Sequence, residues 1–199
     1  MKKELKILLA TYTFSTFAYS VLGPIYAIFV EEIGGGVLEA SYAIAIFTFI
    51  AGILIFTVSR LADKMKHQEY LLTLGYFVNS LAFLSYTFVT KPVHLYFVEI
   101  LFGIGISLLS PVYDGLYSKN LDKGKFVSEW GDWESLGYFI SSIAALSGGI
   151  ITSIFGFKTL FYLLSMISMI SVFISLLLYK SEPKNIALDR LSKNKQNKK

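Results

Sequence analysis

One apolar stretch of the chain carries several residues that could take part in chemistry. It runs from Pro92 to Tyr117 and contains an acidic residue, Glu99, well inside the apolar run. Its polar and small residues recur every three or four positions, which places them on one face of a helix: Glu99, Gly103, Ser107, Ser110 and Asp114. About 20 apolar residues cross a bilayer, and a carboxylate there costs about 2.5–3.5 kcal/mol unless it faces protein or water. We therefore predict that this face carries the function.

Glu99 has no evident cationic partner, because no lysine or arginine lies inside the predicted apolar cores. Loss of hydration without a nearby positive charge favours the protonated acid. Such a group could exchange a proton during transport, or recognise a cation or an amine. The alternative is a permanently neutral glutamic acid that hydrogen-bonds to neighbouring side chains, for which the candidates are Tyr19, Tyr26, Asn79 and Ser80.

Three further residues are candidates for substrate binding or proton coupling. Asp114 lies near the end of the same helix, where it could instead be hydrated or pair with Lys64 or Lys119. Tyr26 and Tyr113 each follow a proline by two residues. They could line a cavity, or simply pack as aromatic side chains.

Composition limits the other kinds of chemistry. The 199-residue chain has no cysteine and only two histidines, so we expect no metal site and no cysteine nucleophile. It also lacks a phosphate-binding loop. We therefore predict that the protein is not an enzyme and uses no cofactor. Only 16% of its residues are charged, against about 25% in soluble proteins, and this composition indicates a membrane protein.

Six apolar stretches are long enough to be membrane-spanning helices. They are Ile7–Val30, Val37–Val58, Tyr70–Val89, Val93–Tyr117, Leu136–Phe155 and Thr159–Tyr179. With six spans, 16 of the 18 lysines and arginines lie on one side of the membrane, and only Lys91 and Lys158 lie on the other. Because positive residues concentrate in the cytoplasm, both termini are predicted to be cytoplasmic. The basic segment 181–199 is predicted to be a disordered cytoplasmic tail.

A short internal repeat relates the two halves of the chain. Gly23-Pro24-Ile25-Tyr26 in the first stretch resembles Ser110-Pro111-Val112-Tyr113 in the fourth. Three spans separate the copies, so they would cross the membrane in opposite directions, as in the three-plus-three inverted repeats of transporters. Chance similarity over four residues is the alternative.

Small residues recur every four positions in the fifth stretch. They are Gly137, Ser141, Ala145, Gly149 and Ser153. Such a row lets two helices approach closely and predicts packing within the bundle, with a dimer interface as the alternative. Packing roles are also expected of Gly103, Gly105 and the helix-bending Pro111 in the fourth stretch.

Two motifs resemble signatures of the major facilitator superfamily of secondary transporters. The segment SRLADKMK, from Ser59 to Lys66, is similar to that family's cytoplasmic Gly-x-Leu-Ala-Asp-Arg/Lys-x-Gly motif, with Ser59 and Lys66 at the glycine positions. The fourth stretch keeps the spacing of the family's Arg-x3-Gly-x-Gly-x-Gly-x3-Pro pattern. It has Glu99 at the arginine position and Ser107 at the third glycine. The fifth-span signature of the family's antiporters is absent.

The resemblance covers Ile7–Tyr179 and implies one six-span half of a transporter that usually has twelve. It also implies that the loop bearing Asp63 latches two halves together on the cytoplasmic side. By our hypothesis, Asp63 meets the start of the fifth span of a partner copy, near Trp133 or Glu134. Arg60 and Lys64 would then pair with the acids Glu129, Asp132 or Glu134. Otherwise these charges only mark a cytoplasmic turn.

Together these observations predict an all-α polytopic protein of the cell (inner) membrane, a half-size secondary transporter. It would move a small molecule, coupled to protons through Glu99, as a homodimer or with a second six-span half. No nucleic-acid partner is expected, because the basic charge is explained by topology. Two alternatives stay open: a membrane scaffold or assembly protein that keeps the fold without transporting, and a fragment of a twelve-span transporter.

Overall fold

Residues 1–179 are described by a computed structural model and are entirely helical, without strands. The first four helices are α1 (Lys3–Glu32), α2 (Val37–Ala62), α3 (Glu69–Tyr86) and α4 (Pro92–Asn120). They are followed by one long helical element, Phe126–Tyr179. The prediction of an all-α fold is therefore confirmed for the described residues. The predicted tail, 181–199, lies outside them.

The long helical element is broken at Gly156. This residue has φ 75° and ψ 169°, a conformation that is essentially restricted to glycine. The chain there leaves the helical path and starts a new helix, so we divide the element into α5, residues 126–155, and α6, residues 157–179. Helix α5 begins ten residues before the predicted fifth span, because Phe126 to Ser135 continue the helix instead of forming a loop.

Four helical elements are long and apolar enough to cross a membrane: α1, α2, α4 and the 54-residue element that contains α5 and α6. Helix α3 is not among them, because polar residues such as Glu69, Asn79 and Ser80 lower the mean hydropathy of its 18 residues. These helices make the protein a multi-pass membrane protein in which the polar residues of α3 face the bundle. Both Asn79 and Ser80 are fully buried.

Helix packing leaves α2 at the edge of the bundle. Helix α1 packs on α5 and α6, α3 packs on α4 and α6, and α2 packs mainly on α4. Only three residues of α2 are buried, and all three are alanines. Pairs of small hydroxyl side chains join the central helices, as membrane bundles commonly show. Ser20 and Ser141 lie 2.7 Å apart between α1 and α5, and Thr73 and Ser175 lie 2.8 Å apart between α3 and α6.

The predicted row of small residues on α5 is only partly correct. Gly137 is buried against Tyr12, as expected for helix packing. Further along, however, Gly149 is exposed and a Cβ built on it would meet no atom within 4 Å. Its neighbour Gly148 makes the contact instead, against Val21 of α1. The reason is that a helix turns once every 3.6 residues, so a strict spacing of four drifts off the contact face.

Candidate functional site

A cavity of about 360 Å³ lies between α1, α2, α3 and α4. It opens at the surface of the bundle, because several of its lining residues, such as Gly23, Ala27 and Ile44, are exposed. The remaining lining is Tyr19, Leu22, Tyr26, Ala40, Phe47, Tyr86, Glu99 and Phe102. Glu99 is thus the one carboxylic acid of the lining, which contains no lysine, arginine or histidine and is otherwise made of aliphatic and aromatic side chains.

The carboxyl group of Glu99 is held by two tyrosines from different helices. The side chain is 6% exposed. Tyr26 of α1 and Tyr86 of α3 each donate a hydrogen bond to the same oxygen, Oε1, at 2.6 Å. No donor among the described residues lies within hydrogen-bond distance of Oε2. The two oxygens therefore have different environments: Oε1 is fixed by the protein, and Oε2 is available to the cavity.

The α3–α4 hairpin accounts for the position of Tyr86. The two helices run antiparallel and are joined by a short turn between Tyr86 and Pro92. Residues earlier in α3 therefore contact residues later in α4. Tyr86 meets Glu99 near the turn, and Gly75 meets Leu109 further down the hairpin. This register places the last residue of α3 beside the acid of α4.

Aromatic rings form the walls around the acid. Phe102 contacts Tyr19, Phe83 and Tyr86, with ring centroids 4.8–5.6 Å apart. The Tyr86 ring also stacks on Phe161 of α6, at 4.7 Å and 16°. Such contacts hold the Tyr86 hydroxyl in place, because the ring cannot turn without disturbing its neighbours. The site is therefore rigid on its α3 and α4 side.

Helix α2 closes the cavity from the other side. It approaches α4 at Gly103, where an added Cβ would lie only 2.9 Å from Ile50. The predicted packing role of Gly103 thus corresponds to a real contact between α2 and α4. Gly105 fulfils a similar role towards α3, since a Cβ there would lie 1.9 Å from the Asn79 amide oxygen. Pro111 lies further along α4, beside a smaller cavity.

No positive charge neutralises Glu99 within residues 1–179. The N-terminal amine forms an ion pair with Asp122, and His67 Nδ1 lies 3.8 Å from a carboxyl oxygen of Glu69. Neither touches the cavity. The described residues also contain no group of acids and histidines able to hold a metal ion. A buried acid without a cation can either hold a proton or attract a positively charged solute. Oε2 is the oxygen of Glu99 that is free for either interaction.

The other two residues predicted for substrate or proton coupling lie elsewhere. Tyr113 is 4% exposed and donates a hydrogen bond to the Leu8 carbonyl of α1, in a part of the core that does not line the cavity. It stacks on Tyr117 instead of lining the cavity. Asp114 is exposed on α4 and forms no ion pair with Lys64 or Lys119. Of the four predicted residues, the structure brings together Glu99 and Tyr26.

The predicted gate residues lie at the end of α2, far along the chain from Glu99. Asp63 lines a cavity of about 100 Å³ together with Lys119 at the end of α4. Gln68 connects the two helices: its amide donates to the Ala62 carbonyl and accepts from the Lys119 ammonium. The Arg60 guanidinium lies over the Phe56 ring at 3.4 Å. Neither Arg60 nor Lys64 forms an ion pair within residues 1–179.

One predicted partner of the gate is already engaged inside the chain. Glu129 is 3% exposed and accepts a hydrogen bond from the Asp122 backbone N–H at 2.8 Å. It therefore stabilises the α4–α5 turn and is not free to meet a second copy. Asp122 in turn pairs with the N-terminal amine at 3.0 Å, and this contact lowers the pKa of the Asp122 carboxyl.

Tyr86 is the residue of the candidate site that the sequence reasoning missed. Tyrosine is common in this chain, and its place at the end of an apolar stretch suggests a membrane-interface residue. The antiparallel packing of α3 on α4 is what brings it to Glu99. Tyr86 is the last residue of α3, directly before the turn, whereas Glu99 is the eighth residue of α4, so the sequence pattern alone does not indicate that they pair.

Comparison with known proteins agrees with these features. The family model of the Major Facilitator Superfamily matches residues 8–198, which is nearly the whole chain. An uncharacterized MFS-type transporter of Bacillus subtilis (strain 168), YitZ, is 22% identical over 155 residues. The aligned part makes up 78% of this chain and 94% of that relative. The chain belongs to the major facilitator superfamily of transporters.

Proposed function

We propose that the chain is a half-size secondary transporter that moves a small solute across the cell membrane by alternating access, coupled to protons through Glu99. The observation that carries the proposal is the setting of Glu99. It is a buried acid in the wall of an open, mostly apolar cavity, with two tyrosine donors and no cation. A costly group in such a position is a functional group by default.

The hydrogen bonds of Glu99 suit a group that gains and loses a proton. Oε1 can accept from both tyrosine hydroxyls as a carboxylate oxygen or as the carbonyl oxygen of the neutral acid. The proton can therefore come and go at Oε2 without any change at Tyr26 or Tyr86. Because the donors stay in place, protonation costs no rearrangement of α1 or α3.

The packing of the helices supports a three-plus-three inverted repeat, in which α1, α2 and α3 correspond to α4, α5 and α6. Helix α1 packs on α5, and its counterpart α4 packs on α2. The repeated tyrosines make reciprocal contacts as well. Tyr26 of α1 bonds to Glu99 of α4, and Tyr113 of α4 bonds to Leu8 of α1. An arrangement of this kind is the basis of alternating access in many transporters.

The repeat gives the Glu99 cavity a counterpart at the other end of the α1–α4 interface. There the space is filled by Tyr12, Tyr113 and Trp133, whose ring centroids lie 5.2–6.2 Å apart. One end of the interface is thus open and the other is closed by aromatic side chains. In each of its two states, an alternating-access transporter has one end open and the other end closed. Trp133 on α5 is the residue that would move to exchange the open end and the closed end.

Six spans with both termini in the cytoplasm fit the helices and the charges together. The break at Gly156 divides the last helical element into two lengths that can each cross a bilayer. The aligned segment makes up 94% of YitZ, so that relative also has about half the length of a twelve-span member. This supports a transporter that is assembled from two chains, two copies being the simplest case.

In such a pair, we place Asp63 against the start of α5 of the other copy. Asp63 has no ion-pair partner within residues 1–179, and Asp132 and Glu134 are exposed. Lys64 and Arg60, which flank Asp63, would reach these acids. A carboxylate near a helix N-terminus gains about 0.3–1 kcal/mol, which is enough to bias an open–closed equilibrium.

Proton movement in proteoliposomes tests the proposed function. The purified full chain is reconstituted with a pH-sensitive dye inside, and a pH gradient is imposed. A panel of sugars, amino acids, organic anions and ammonium compounds is then added outside. We expect at least one class of solute to change the rate of proton movement in the wild type and none to do so in Glu99→Gln.

Glu129→Gln is the matched control, because it removes a second buried glutamate that does not line the cavity. It should leave the solute-dependent proton movement intact. Equal movement in wild type and Glu99→Gln would refute the role of Glu99. No response to any class of solute would refute transport by the chain.

A further inference from the structure

The polar atoms of the Glu99 cavity define what the cavity can bind. Its side-chain hydroxyls belong to three tyrosines. Tyr26 and Tyr86 already donate their protons to Oε1 of Glu99. The hydroxyl of Tyr19 has no hydrogen-bond partner among the described residues, but it is fully buried and is not exposed in the cavity. All other lining side chains are apolar. The carboxyl oxygen Oε2 is therefore the one polar side-chain atom that is free to meet a solute.

We infer that the solute is a monovalent organic cation with an apolar body, whose positive group binds Glu99 Oε2 in place of the proton. This inference rests on the proposed function and names the substrate class of the same site. An anion would meet no donor and would be repelled by the carboxylate. A sugar or an amino acid would bury several hydroxyl or carboxylate groups without partners, at about 1–3 kcal/mol for each unsatisfied group.

The single carboxyl group also sets the charge of the solute. One carboxylate balances one positive charge, and a second charge in the apolar walls would have no partner and a high desolvation cost. The neutral acid, by contrast, has no attraction for a cation. Binding of the solute and binding of the proton are therefore mutually exclusive, and the site exchanges one for the other.

The size of the cavity limits the solute to a compact molecule. A volume of about 360 Å³ lies at the lower end of the range of about 300–1,000 Å³ that is usual for ligand pockets. A solute with a single ring and a small charged group suits a cavity of this size. Aromatic rings of Tyr19, Phe47 and Phe102 lie along the wall, and their faces attract cations by about 0.5–2 kcal/mol. The same rings pack against an apolar body.

Benzyltrimethylammonium is a suitable probe for the site. It combines a permanent positive charge with a single aromatic ring, and its size matches the cavity. A quaternary ammonium ion cannot lose a proton, so it cannot carry protons through the lipid by itself. Phenylmethanesulfonate provides a matched anion and neopentylbenzene a matched neutral molecule.

Binding of the probe to the purified full chain is measured by calorimetry at several pH values. We expect the cation to bind and the anion and neutral analogue not to bind. Proton and cation compete for Oε2, so lowering the pH should weaken binding of the cation. Once Glu99 is mostly protonated, the apparent Kd should rise about tenfold for each pH unit by which the pH is lowered. Glu99→Gln should lose both the binding and its pH dependence, and Glu129→Gln should keep both.

In proteoliposomes that are acidic inside, external benzyltrimethylammonium should accelerate the loss of internal protons in the wild type and in Glu129→Gln, but not in Glu99→Gln. Binding of the anion or the neutral analogue as tight as that of the cation would overturn the inference, and so would cation binding that does not depend on pH. If another class of solute drives Glu99-dependent proton movement, the substrate class is wrong and the proposed function stands. If no class does so, both fail.

Discussion

At the scale of single residues, the two oxygens of Glu99 have different surroundings. Tyr26 and Tyr86 both donate to Oε1, and Oε2 faces the cavity. The tyrosines also differ from each other, because Tyr86 is 2% exposed and stacked on Phe161, whereas Tyr26 is half-buried and lies two residues after Pro24. We therefore regard Tyr86 as the fixed donor and Tyr26 as the one that moves with α1.

Removing the Tyr86 hydroxyl should change the carboxyl group in a way that infrared spectroscopy detects. In Tyr86→Phe, Oε1 keeps one donor instead of two, so the C=O stretch of protonated Glu99 should move to higher wavenumber. The band is assigned by its loss in Glu99→Gln. Tyr162→Phe, which changes an exposed tyrosine of α6, is the control and should leave the band in place. An unchanged band in Tyr86→Phe would refute the hydrogen bond.

A second prediction at this scale concerns Gly105. A Cβ at this position would lie 1.9 Å from the buried Asn79 amide oxygen, so Gly105→Ala must displace the Asn79 side chain at the contact between α3 and α4. We expect it to destabilise the protein by about 1–3 kcal/mol, as overpacking of a core commonly does. Gly149→Ala, where the new methyl group meets no atom within 4 Å, should instead stabilise α5 by up to about 1 kcal/mol. Thermal unfolding of both variants in mild detergent measures these two changes in stability.

How far the sequence leads to the site can be judged from three residues. Glu99 stands out because an acid in an apolar stretch is costly and needs a reason. Tyr26 could be named as a partner, but Tyr113 could not be excluded, because both follow a proline and nothing local distinguishes them. Their different surroundings come from tertiary packing: α3 brings Tyr86 to the end of the interface where Tyr26 lies. At the other end, Trp133 fills the space beside Tyr113.

At the scale of helices, the sequence indicates the apolar cores well and the ends less well. Helix α5 starts at Phe126, not at Leu136, because polar residues at a membrane surface continue a helix as readily as they form a loop. The row of small residues on α5 likewise shifts from Gly149 to Gly148, since the contact face follows the helical period of 3.6 residues. Both differences arise from geometry that residue type alone does not encode.

The junction between α5 and α6 depends on one glycine. Gly156 has φ 75° and ψ 169°, which residues with a Cβ reach only at a cost of about 1–3 kcal/mol. Gly156→Ala should therefore lower the melting temperature even though an added methyl group would meet no neighbouring atom within 4 Å. Gly23→Ala, at a helical glycine with equally open surroundings, should not lower it. An equal effect of both substitutions would show that space, not backbone conformation, decides the outcome.

At the scale of the whole molecule, the orientation in the membrane follows from the loops. Lys91 and Lys158 lie exposed at two of the three helix junctions predicted to face outwards, and Lys64 and Lys123 lie exposed at junctions predicted to face the cytoplasm. The chain has no cysteine, so each position can be tested by one substitution. In intact cells, a membrane-impermeant thiol reagent should label Lys91→Cys and Lys158→Cys. It should label Lys64→Cys and Lys123→Cys only after the cells are opened, and the reverse pattern would invert the topology.

The pairing of two copies can be tested in the same cysteine-free background. Asp63 lies at the end of α2 without an ion-pair partner in residues 1–179, and Glu134 is exposed on α5, just before the predicted fifth span. If the family's cytoplasmic latch operates between two copies, these residues approach each other across the interface. Co-expressed Asp63→Cys and Glu134→Cys chains of different tag size should then form a mixed disulfide-linked dimer in native membranes on mild oxidation. Asp63→Cys with Tyr162→Cys is the control, because Tyr162 is exposed on α6 next to the α5–α6 junction, which is predicted to face outwards, and should give no mixed product. Absence of the Asp63–Glu134 product, together with a monomeric mass in mild detergent, would rule out the homodimer and leave a different six-span partner as the second half.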